Sequence, residues 1–385
     1  MADTRARDPG AGRVVIAGGG IAAVETLLAL RAAPRGAELQ VTLVAPGDQL
    51  EYRPLSVLEP FGPAPVRRYP LARICAEHDA TLVADAVAAV DGEAGAVRLG
   101  SGAALPYDAL VVAVGARRSP ALADAHTFLA ETDGDGTHWI VRELEQRTVR
   151  SITFVVPERA GWSLPLYELA LLTARHAAAR GIGNVALTLV TCEPEPLAIV
   201  GGDASAAVAR LLGVADVRVL AGRRATAWDG RIVTLDPPDA EGPLVADRVV
   251  ALPRLGGPAI DGLPCDADGF VEVDAHMRVR GLDGVYAVGD ATTFPVKQGG
   301  LAAQQADLAA ALIARAAGPD PSRSAVLRSV LLTGSRPLYI QALIEGDRPK
   351  ASSVSETPPW SPPQKVAARY LAPYLEAWPE RSAGG

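Results

Sequence analysis

Three consecutive glycines near the start of the 385-residue chain lie between two apolar segments, and this arrangement constrains the fold more than any other feature. An apolar run at residues 13–17 precedes them, and an apolar helical pattern at residues 21–31 follows. A second apolar run comes at residues 39–44. Strand, turn, helix and strand in this order predict a β-α-β unit with parallel strands. The sequence therefore predicts an α/β protein.

The glycine turn, Gly18-Gly-Gly-Ile-Ala-Ala23, matches the dinucleotide-binding pattern G-x-G-x-x-G/A. The first glycine permits a tight turn, the second lets backbone N–H groups approach a pyrophosphate, and a small third residue lets the helix pack on the strand. Unpaired N–H groups and the dipole of the following helix also favour an anion there. We therefore expect a dinucleotide to contact Gly18, Gly20, Ile21 and Ala22, although a cofactor-free turn of an α/β protein is the alternative.

An acidic residue usually follows the second strand of such a unit and bonds the ribose hydroxyls, but here the strand ends in Val44-Ala45-Pro46. Two acidic residues, Asp48 and Glu51, follow shortly afterwards. Either one of them replaces the usual acid, or the ribose contact is absent.

A second segment with a glycine and a carboxylate is Gly284-Val-Tyr-Ala-Val-Gly-Asp-Ala-Thr292. Its Asp290 can accept a hydrogen bond from a ribityl hydroxyl of FAD, and Gly289 lets the chain pass close to the cofactor. The helix that begins beyond Lys297 would direct its positive end at the pyrimidine edge of the flavin. We expect flavin contacts at Gly289, Asp290, Lys297, Gln298 and Gly299; the alternative makes Asp290 an ordinary helix cap.

Together with Tyr107-Asp-Ala-Leu-Val-Val-Ala-Val-Gly115, these segments resemble the pyridine nucleotide-disulfide oxidoreductase superfamily of flavoproteins with two dinucleotide-binding domains. The narrower resemblance is to the branch of sulfide:quinone oxidoreductases, flavocytochrome c sulfide dehydrogenases and type II NADH dehydrogenases. It rests on Tyr52-Arg-Pro-Leu55, on Lys297-Gln298 and on Gln304-Gln305. The resemblance implies an FAD-dependent oxidoreductase, with further cofactor contacts at Arg53, Ala113 and Gly115.

The resemblance also implies an α/β fold of two Rossmann-like three-layer domains, the second inserted in the first. A second strand, helix and strand at residues 151–156, 165–180 and 185–191 fits the inserted domain. Paired strands at residues 330–333 and 338–342, followed by a Pro-rich linker, predict a small C-terminal α+β domain. We expect an FAD-binding domain from residues 1–125 and 256–325, a second domain at 126–255, and a C-terminal domain at 326–385.

The second domain departs from the NADH-using members of the branch at residues 156–168. This loop holds one glycine, two prolines and Glu158, so it lacks the glycine-rich approach to a pyrophosphate. It is similar instead to the sulfide:quinone version, but Trp162 stands at the position of that family's cysteine, and no cysteine follows Cys265. The redox cysteine pair is therefore missing. NAD(P)H would need an atypical nucleotide loop.

Two residues are candidates for a catalytic role. The Trp162 indole would stack on the flavin or pack at the domain interface. The Lys297 ammonium would compensate charge on reduced flavin or stay solvated before the helix.

Composition excludes several other classes of protein. A net charge of −7 without a long basic run argues against a nucleic-acid partner. The three cysteines (Cys75, Cys192 and Cys265) are far apart, which argues against a disulfide scaffold and indicates a reducing cytoplasm. The five histidines show no pair at metal-binding spacing, so no metal is expected. The N-terminus lacks the apolar core of a signal peptide.

The C-terminal tail repeats apolar and aromatic residues at helical spacing: Val366, Tyr370, Leu371, Tyr374, Leu375 and Trp378. Membrane-bound relatives place such a segment on the bilayer. This tail has few basic residues for a membrane-surface helix. Docking on the protein itself or on a homodimer partner is therefore favoured over peripheral membrane contact.

The sequence is consistent with three functions. The first is a flavin oxidoreductase that transfers electrons or hydride through flavin N5 to a quinone or a protein carrier. The second is an NAD(P)H-dependent flavin reductase with an atypical nucleotide loop. The third is a flavin-binding protein with little turnover that acts in partner binding or assembly.

Overall fold

The computed structural model describes residues 12–62, 66–128, 137–315, 325–345 and 348–378. Its strands are β1 (Arg13–Ala17), β2 (Gln40–Val44), β3 (Gln49–Tyr52), β4 (Arg67–Pro70), β5 (Ala80–Val83), β6 (Val87–Asp91), β7 (Ala96–Leu99), β8 (Ala104–Pro106), β9 (Ala109–Val112), β10 (Arg117–Ser119), β11 (His126–Thr127), β12 (Ser151–Val156), β13 (Ala186–Thr191), β14 (Val217–Leu220), β15 (Arg224–Trp228), β16 (Ile232–Asp236), β17 (Leu244–Val245), β18 (Arg248–Ala251), β19 (Arg254–Gly256), β20 (Val285–Ala287), β21 (Ala325–Leu331), β22 (Leu338–Glu345) and β23 (Arg348–Ser355). Its α-helices are α1 (Ile21–Ala32), α2 (Leu71–Glu77), α3 (His138–Glu145), α4 (Leu164–Ala179), α5 (Gly202–Val214), α6 (Gly299–Ile313) and α7 (Leu371–Glu376).

The glycine turn joins β1 to α1 in a parallel sheet of order β20-β9-β1-β2-β5. Residues 14–17 of β1 are buried, as a central strand of a sheet covered on both faces requires. Helices α1 and α6 pack together in the core on one face. Since β20 comes from residues 285–287, the chain returns to this sheet after a long excursion.

The excursion forms a second parallel sheet of order β11-β18-β12-β13-β14, with α4 buried against it. The chain segments that connect the two sheets pair with each other as the antiparallel ribbon of β10 and β19. These features confirm the predicted α/β fold class with two Rossmann-like sheets. The domain boundaries at residues 125, 255 and 325 stay a proposal.

Beyond α6, strands β21, β22 and β23 form an antiparallel sheet. The predicted pairing of residues 330–333 with 338–342 lies within it, although both strands are longer than expected. The outer edge of β21 is covered by the Gln304 side chain of α6, whose amide nitrogen and oxygen lie 2.8 Å and 3.1 Å from the backbone oxygen and nitrogen of Val326. This contact satisfies backbone groups at an otherwise unpaired edge.

The tail is helical over a shorter range than the apolar spacing predicts. Helix α7 begins at Leu371, because the buried Glu25 carboxylate of α1 accepts hydrogen bonds from the N–H groups of Tyr370 (2.9 Å) and Leu371 (2.6 Å). Val366 lies before this helix but is buried in the same core as Leu371 and Leu375. The tail therefore docks on the first domain of its own chain. Within the described ranges, none of the helices combines the length and apolar character needed to cross a bilayer.

Candidate functional site

The glycine turn meets the ends of two neighbouring strands at the carboxyl edge of the first sheet. The Gly18 N–H donates to the Val44 carbonyl (2.8 Å), and Gly18 has a φ of +125°. Any side chain at Gly18 would clash with the Ala113 carbonyl oxygen. At Gly20, which precedes α1, a Cβ would meet no protein atom within 4 Å. Only glycine fits at position 18. At position 20 the backbone is open, at a helix N-terminus where a ligand anion can bind.

The end of β9 brings Ala113 and Gly115 to the same edge. Ala113 is buried beside the turn, and Gly115 has a φ of +74°, a left-handed conformation that favours glycine. Val114 between them is 37% exposed. Residues 113–115 therefore contribute backbone groups and one apolar side chain to the carboxyl edge of the first sheet, next to the glycine turn.

The position of the usual ribose acid is apolar. A Cβ at Gly19 would lie 3.1 Å from the Ala45 Cβ, so Ala45 packs closely under the turn. Glu51 is engaged by two arginines, with Nε of Arg53 at 2.8 Å and Nε of Arg68 at 3.2 Å. Asp48 is exposed and remains the candidate for the ribose contact.

Asp290 lies where β20 leads towards α6, on the same edge of the sheet. Its neighbour Gly289 has a φ of +71° and donates its N–H to Oε1 of Gln305 (2.7 Å). A Cβ at Gly289 would lie 3.2 Å from the Ala302 Cβ and 3.3 Å from that of Ala22, so α1 and α6 converge at this point. Ala22 is therefore buried and has only its backbone to offer a ligand.

No described protein group donates a hydrogen bond to the Asp290 carboxylate. Burial raises the pKa of Asp290, and the positive charges of Lys297 and Arg118 oppose this rise. A buried carboxylate needs a donor to offset desolvation. A ligand hydroxyl at this position would supply one. The chemistry of the residue therefore fits the ribityl contact that the sequence predicts.

Lys297 lies on the chain between Asp290 and α6 and is largely buried. Its ammonium donates to the Thr292 carbonyl and lies 3.9 Å from the centroid of the Phe270 ring. Burial lowers the pKa of Lys297 to about 8, and the nearby Asp290 opposes this shift. The Lys297 N–H donates to the Gly161 carbonyl (3.1 Å), so this segment is fixed directly beside Trp162.

A small cavity of about 150 Å³ collects many of the predicted site residues from separate parts of the chain. Its walls include Ile21, Arg53, Trp162, Lys297, Gln298 and Gly299. The Gln298 side chain is already committed, because it accepts from Leu301 N (2.9 Å) and donates to the Arg328 carbonyl (3.0 Å). Gln298 therefore has its backbone left for a cofactor, as have Gly299 and the free N–H groups of the first turn of α6.

Two further residues of this cavity, Glu168 and Lys365, did not emerge from the sequence. The Lys365 Nζ lies 2.6 Å from Oε2 of Glu168, whose other oxygen accepts from Leu332 N (2.8 Å). Glu168 is 0% exposed, and burial raises its pKa while Lys365 opposes the rise. The pair spans 197 residues of sequence, so no local spacing could predict it. The only signal was a glutamate in the mostly apolar first half of α4.

The second β-α-β turn is closed by its own side chains. Glu193, just after β13, accepts from Tyr167 OH (2.6 Å), Ser163 Oγ (3.0 Å) and Thr191 Oγ1 (3.0 Å). At the start of α4, Ser163 and Leu164 are buried and Pro165 has no N–H. A pyrophosphate therefore finds no exposed group of N–H donors at this helix.

All three cysteines are free thiols. Cys75 is buried, and desolvation raises its pKa to about 11. Burial also raises the pKa of Cys192 and Cys265, and none of the three lines the small cavity. Within the part of the chain that the structure describes, no cluster of His, Cys, Asp or Glu is placed to hold a metal ion.

Comparison of the sequence with protein-family profiles and with curated proteins gives no match. Comparison with solved structures gives a TM-score of 0.78 to the sulfide:quinone oxidoreductase from the hyperthermophilic bacterium Aquifex aeolicus, at 20% identity over 90% of this chain and 87% of that one. The putidaredoxin reductase of a covalent complex with putidaredoxin gives 0.64 at 23% identity, covering 87% of this chain and 82% of that one. A ferredoxin reductase from Rhodopseudomonas palustris gives 0.64 at 22% identity, covering 86% and 82%. The chain therefore shares the fold of these three proteins, which agrees with the fold that its motifs predicted.

Proposed function

We propose that the chain is an FAD-dependent oxidoreductase that transfers electrons to a quinone or a protein carrier and does not use NAD(P)H. The observation that carries this proposal is the convergence, at one edge of the first sheet, of the Gly18 turn, Gly115, the unpartnered Asp290 carboxylate and the N-terminus of α6. Ligands of open α/β sheets bind at the carboxyl ends of the strands. The fold shared with three oxidoreductases supports the same assignment.

The residues present would hold FAD in an extended arrangement. The N–H groups of Gly20 and Ile21 would bind the pyrophosphate, with Gly18 giving the turn its tight path beside the cofactor, and Asp290 would accept from a ribityl hydroxyl. The backbone at Gln298 and Gly299 would face the pyrimidine edge of the flavin, where the helix dipole stabilises negative charge. Bound FAD would supply electron or hydride transfer at N5.

The closed second turn supports a donor other than NAD(P)H. In the second domain the Glu193 carboxylate, which has the position of a ribose acid, already accepts hydrogen bonds from three side chains. A nucleotide would have to break this buried network and displace Trp162 or Pro165. Exchanging buried hydrogen bonds in this way costs a few kcal/mol before any contact with the nucleotide is gained (about 1–3 kcal/mol for each group left unsatisfied).

The small cavity supplies groups that can handle protons. Lys297, with a pKa of about 8, holds or releases a proton near neutral pH, and Glu168 and Lys365 share a charge-assisted hydrogen bond in the same wall. Quinone reduction takes up protons together with electrons. An electron donor or acceptor bound in this cavity would therefore lie beside Lys297, and the Trp162 side chain would restrict its entry.

The test begins with the absorption spectrum and the flavin content of the purified chain. We expect bound FAD, no rapid bleaching by NADH or NADPH without oxygen, and faster reoxidation of the chemically reduced protein by a soluble quinone or an oxidised ferredoxin than by buffer alone. Rapid bleaching by NADH would establish the nucleotide-dependent reductase instead. A protein that takes up no FAD would overturn the proposal.

A matched pair of variants tests the site itself. Asp290→Ala removes the acceptor for the ribityl hydroxyl, so we expect a folded protein with little flavin. Asp283→Ala changes an exposed carboxylate seven residues earlier, and this variant should keep its flavin. If flavin binds but neither class of acceptor reoxidises it, the chain is a flavin-binding protein with little turnover.

A further inference from the structure

A large cavity of about 930 Å³ lies between α6, β21 and the chain segment before α7. Its apolar wall includes Leu301, Leu308, Val326, Ile344 and Trp360. It shares no residue with the small cavity, although the same three elements line both. The volume is in the range of ligand pockets, and a mostly apolar wall with a few polar groups is typical of them.

Arg328 is the unusual polar group of this wall. It projects from β21, and no described side chain or backbone group forms a hydrogen bond or ion pair with its guanidinium, although Nε is shielded from solvent. A second cation, Arg369, lies at the rim and stacks on the Tyr370 ring with 5.1 Å to the centroid. Neither arginine forms an ion pair within 4 Å with a described carboxylate, although Arg369 lies close to Asp307, so both add positive charge to the cavity wall.

The acidic residues of the same wall do not neutralise this charge. Asp274 accepts from the N–H groups of His276 (2.8 Å) and Arg278 (2.9 Å), and Glu345 pairs with Lys350. Asp307 faces Glu25 of α1; burial and then the adjacent Glu25 carboxylate raise its pKa to about 8, against the nearby Arg369, so the protonated form predominates at neutral pH. None of these three acids forms an ion pair with Arg328.

We propose that this cavity binds an amphipathic anion, with a carboxylate or phosphate head on Arg328 and an apolar chain along the wall. Arginine matches both head groups through paired N–H donors. The apolar wall would cover an alkyl or prenyl chain, and burial of each methylene favours binding by about 0.8 kcal/mol. The site is separate from the small cavity, because no residue lines both.

The test is calorimetric titration of the full purified chain with dodecanoate, dodecyl phosphate and the uncharged dodecan-1-ol. We expect saturable binding of one anion per chain and at least tenfold weaker binding of the alcohol. The stronger of the two anions identifies the head group. No binding, or equal binding of alcohol and anions, would overturn the proposal.

Variants locate the binding. Arg328→Met should lower the affinity about tenfold or more, as expected for loss of a charge-assisted hydrogen bond. Arg336→Met is the matched control, because Arg336 is highly exposed and lies outside the cavity. Should Arg328→Met fail to fold, Val326→Phe, which fills the cavity beside Arg328, must abolish binding while the flavin spectrum stays unchanged. Undiminished binding to either folded variant would contradict the site.

Discussion

The two β-α-β turns of this chain have the same order of elements and opposite surroundings. At the first turn, Gly20 leaves the backbone accessible, and no described protein group donates a hydrogen bond to Asp290. At the second turn, Ser163 and Tyr167 bind the Glu193 carboxylate, and Lys365 binds Glu168. Topology alone therefore does not make a nucleotide site. A site remains where buried polar groups are left for a ligand, and it is lost where the protein satisfies them itself.

The largest effect is expected at Gly18. In Gly18→Ala, the added Cβ clashes with the Ala113 carbonyl, and the φ of +125° is strained for any residue other than glycine. We expect loss of soluble folded protein, measured by expression yield and melting temperature. Gly20→Ala is the control, because its Cβ meets no protein atom within 4 Å. The Gly20→Ala variant should fold and lose only flavin affinity. A soluble Gly18→Ala protein with normal flavin content would contradict this interpretation of the turn.

The second largest effect concerns the closed turn. Glu168→Ala leaves the Lys365 ammonium without a partner in a buried wall, which costs about 3–5 kcal/mol of unfolding free energy. The melting temperature should fall by many degrees. Glu145→Ala is the matched control near the same helix, because the half-exposed Glu145 contacts His176 (3.1 Å) and Arg180 (3.3 Å) and such surface pairs contribute less than about 1 kcal/mol each. Equal effects of the two substitutions would show that Lys365 is not held by Glu168.

A smaller effect is expected at Tyr167. Tyr167→Phe removes the donor to Glu193 and the acceptor for Leu197 N (3.2 Å), at a cost of about 1–3 kcal/mol. It should not create activity with NADH, because Ser163, Leu164 and Pro165 still close the start of α4. Thermal melting and NADH oxidation measure the two outcomes. Appearance of NADH oxidation would show that this hydroxyl alone excludes the nucleotide.

The elements of the first turn could be predicted because the information is local. The glycines, the apolar strands and the Gly289-Asp290 pair each lie within a few residues, and the periodicity of α1 and α4 placed both helices to within one or two residues. The closed second turn was foreseen only as a missing glycine pattern. Which side chains close it depends on contacts between distant elements.

The same limit applies to the cavities and the tail. Lys365 and Glu168 are 197 residues apart in the sequence, and Arg328 stands out only because none of the described acids around it pairs with it. The tail was expected to be helical from Val366, yet α7 begins at Leu371, where Glu25 caps its N–H groups. Tertiary hydrogen bonds decided both outcomes, and no sequence spacing encodes them.

The effect that is smallest near pH 4 is expected at Asp307, a carboxyl group of the first domain that lies beside Glu25 and close to Arg369. Its pKa is raised by burial and by the adjacent Glu25 carboxylate to about 8, so the folded chain keeps a proton that the unfolded chain releases near its ordinary value of 3.8. The folded state binds more protons between these values, and stability therefore falls as the pH rises from about 4 to about 8. Asp307→Asn keeps a donor for Glu25 and cannot ionise. Its melting temperature should match that of the wild type near pH 4 and exceed it increasingly towards pH 9, whereas parallel curves would mean that Asp307 is ionised in the folded protein throughout.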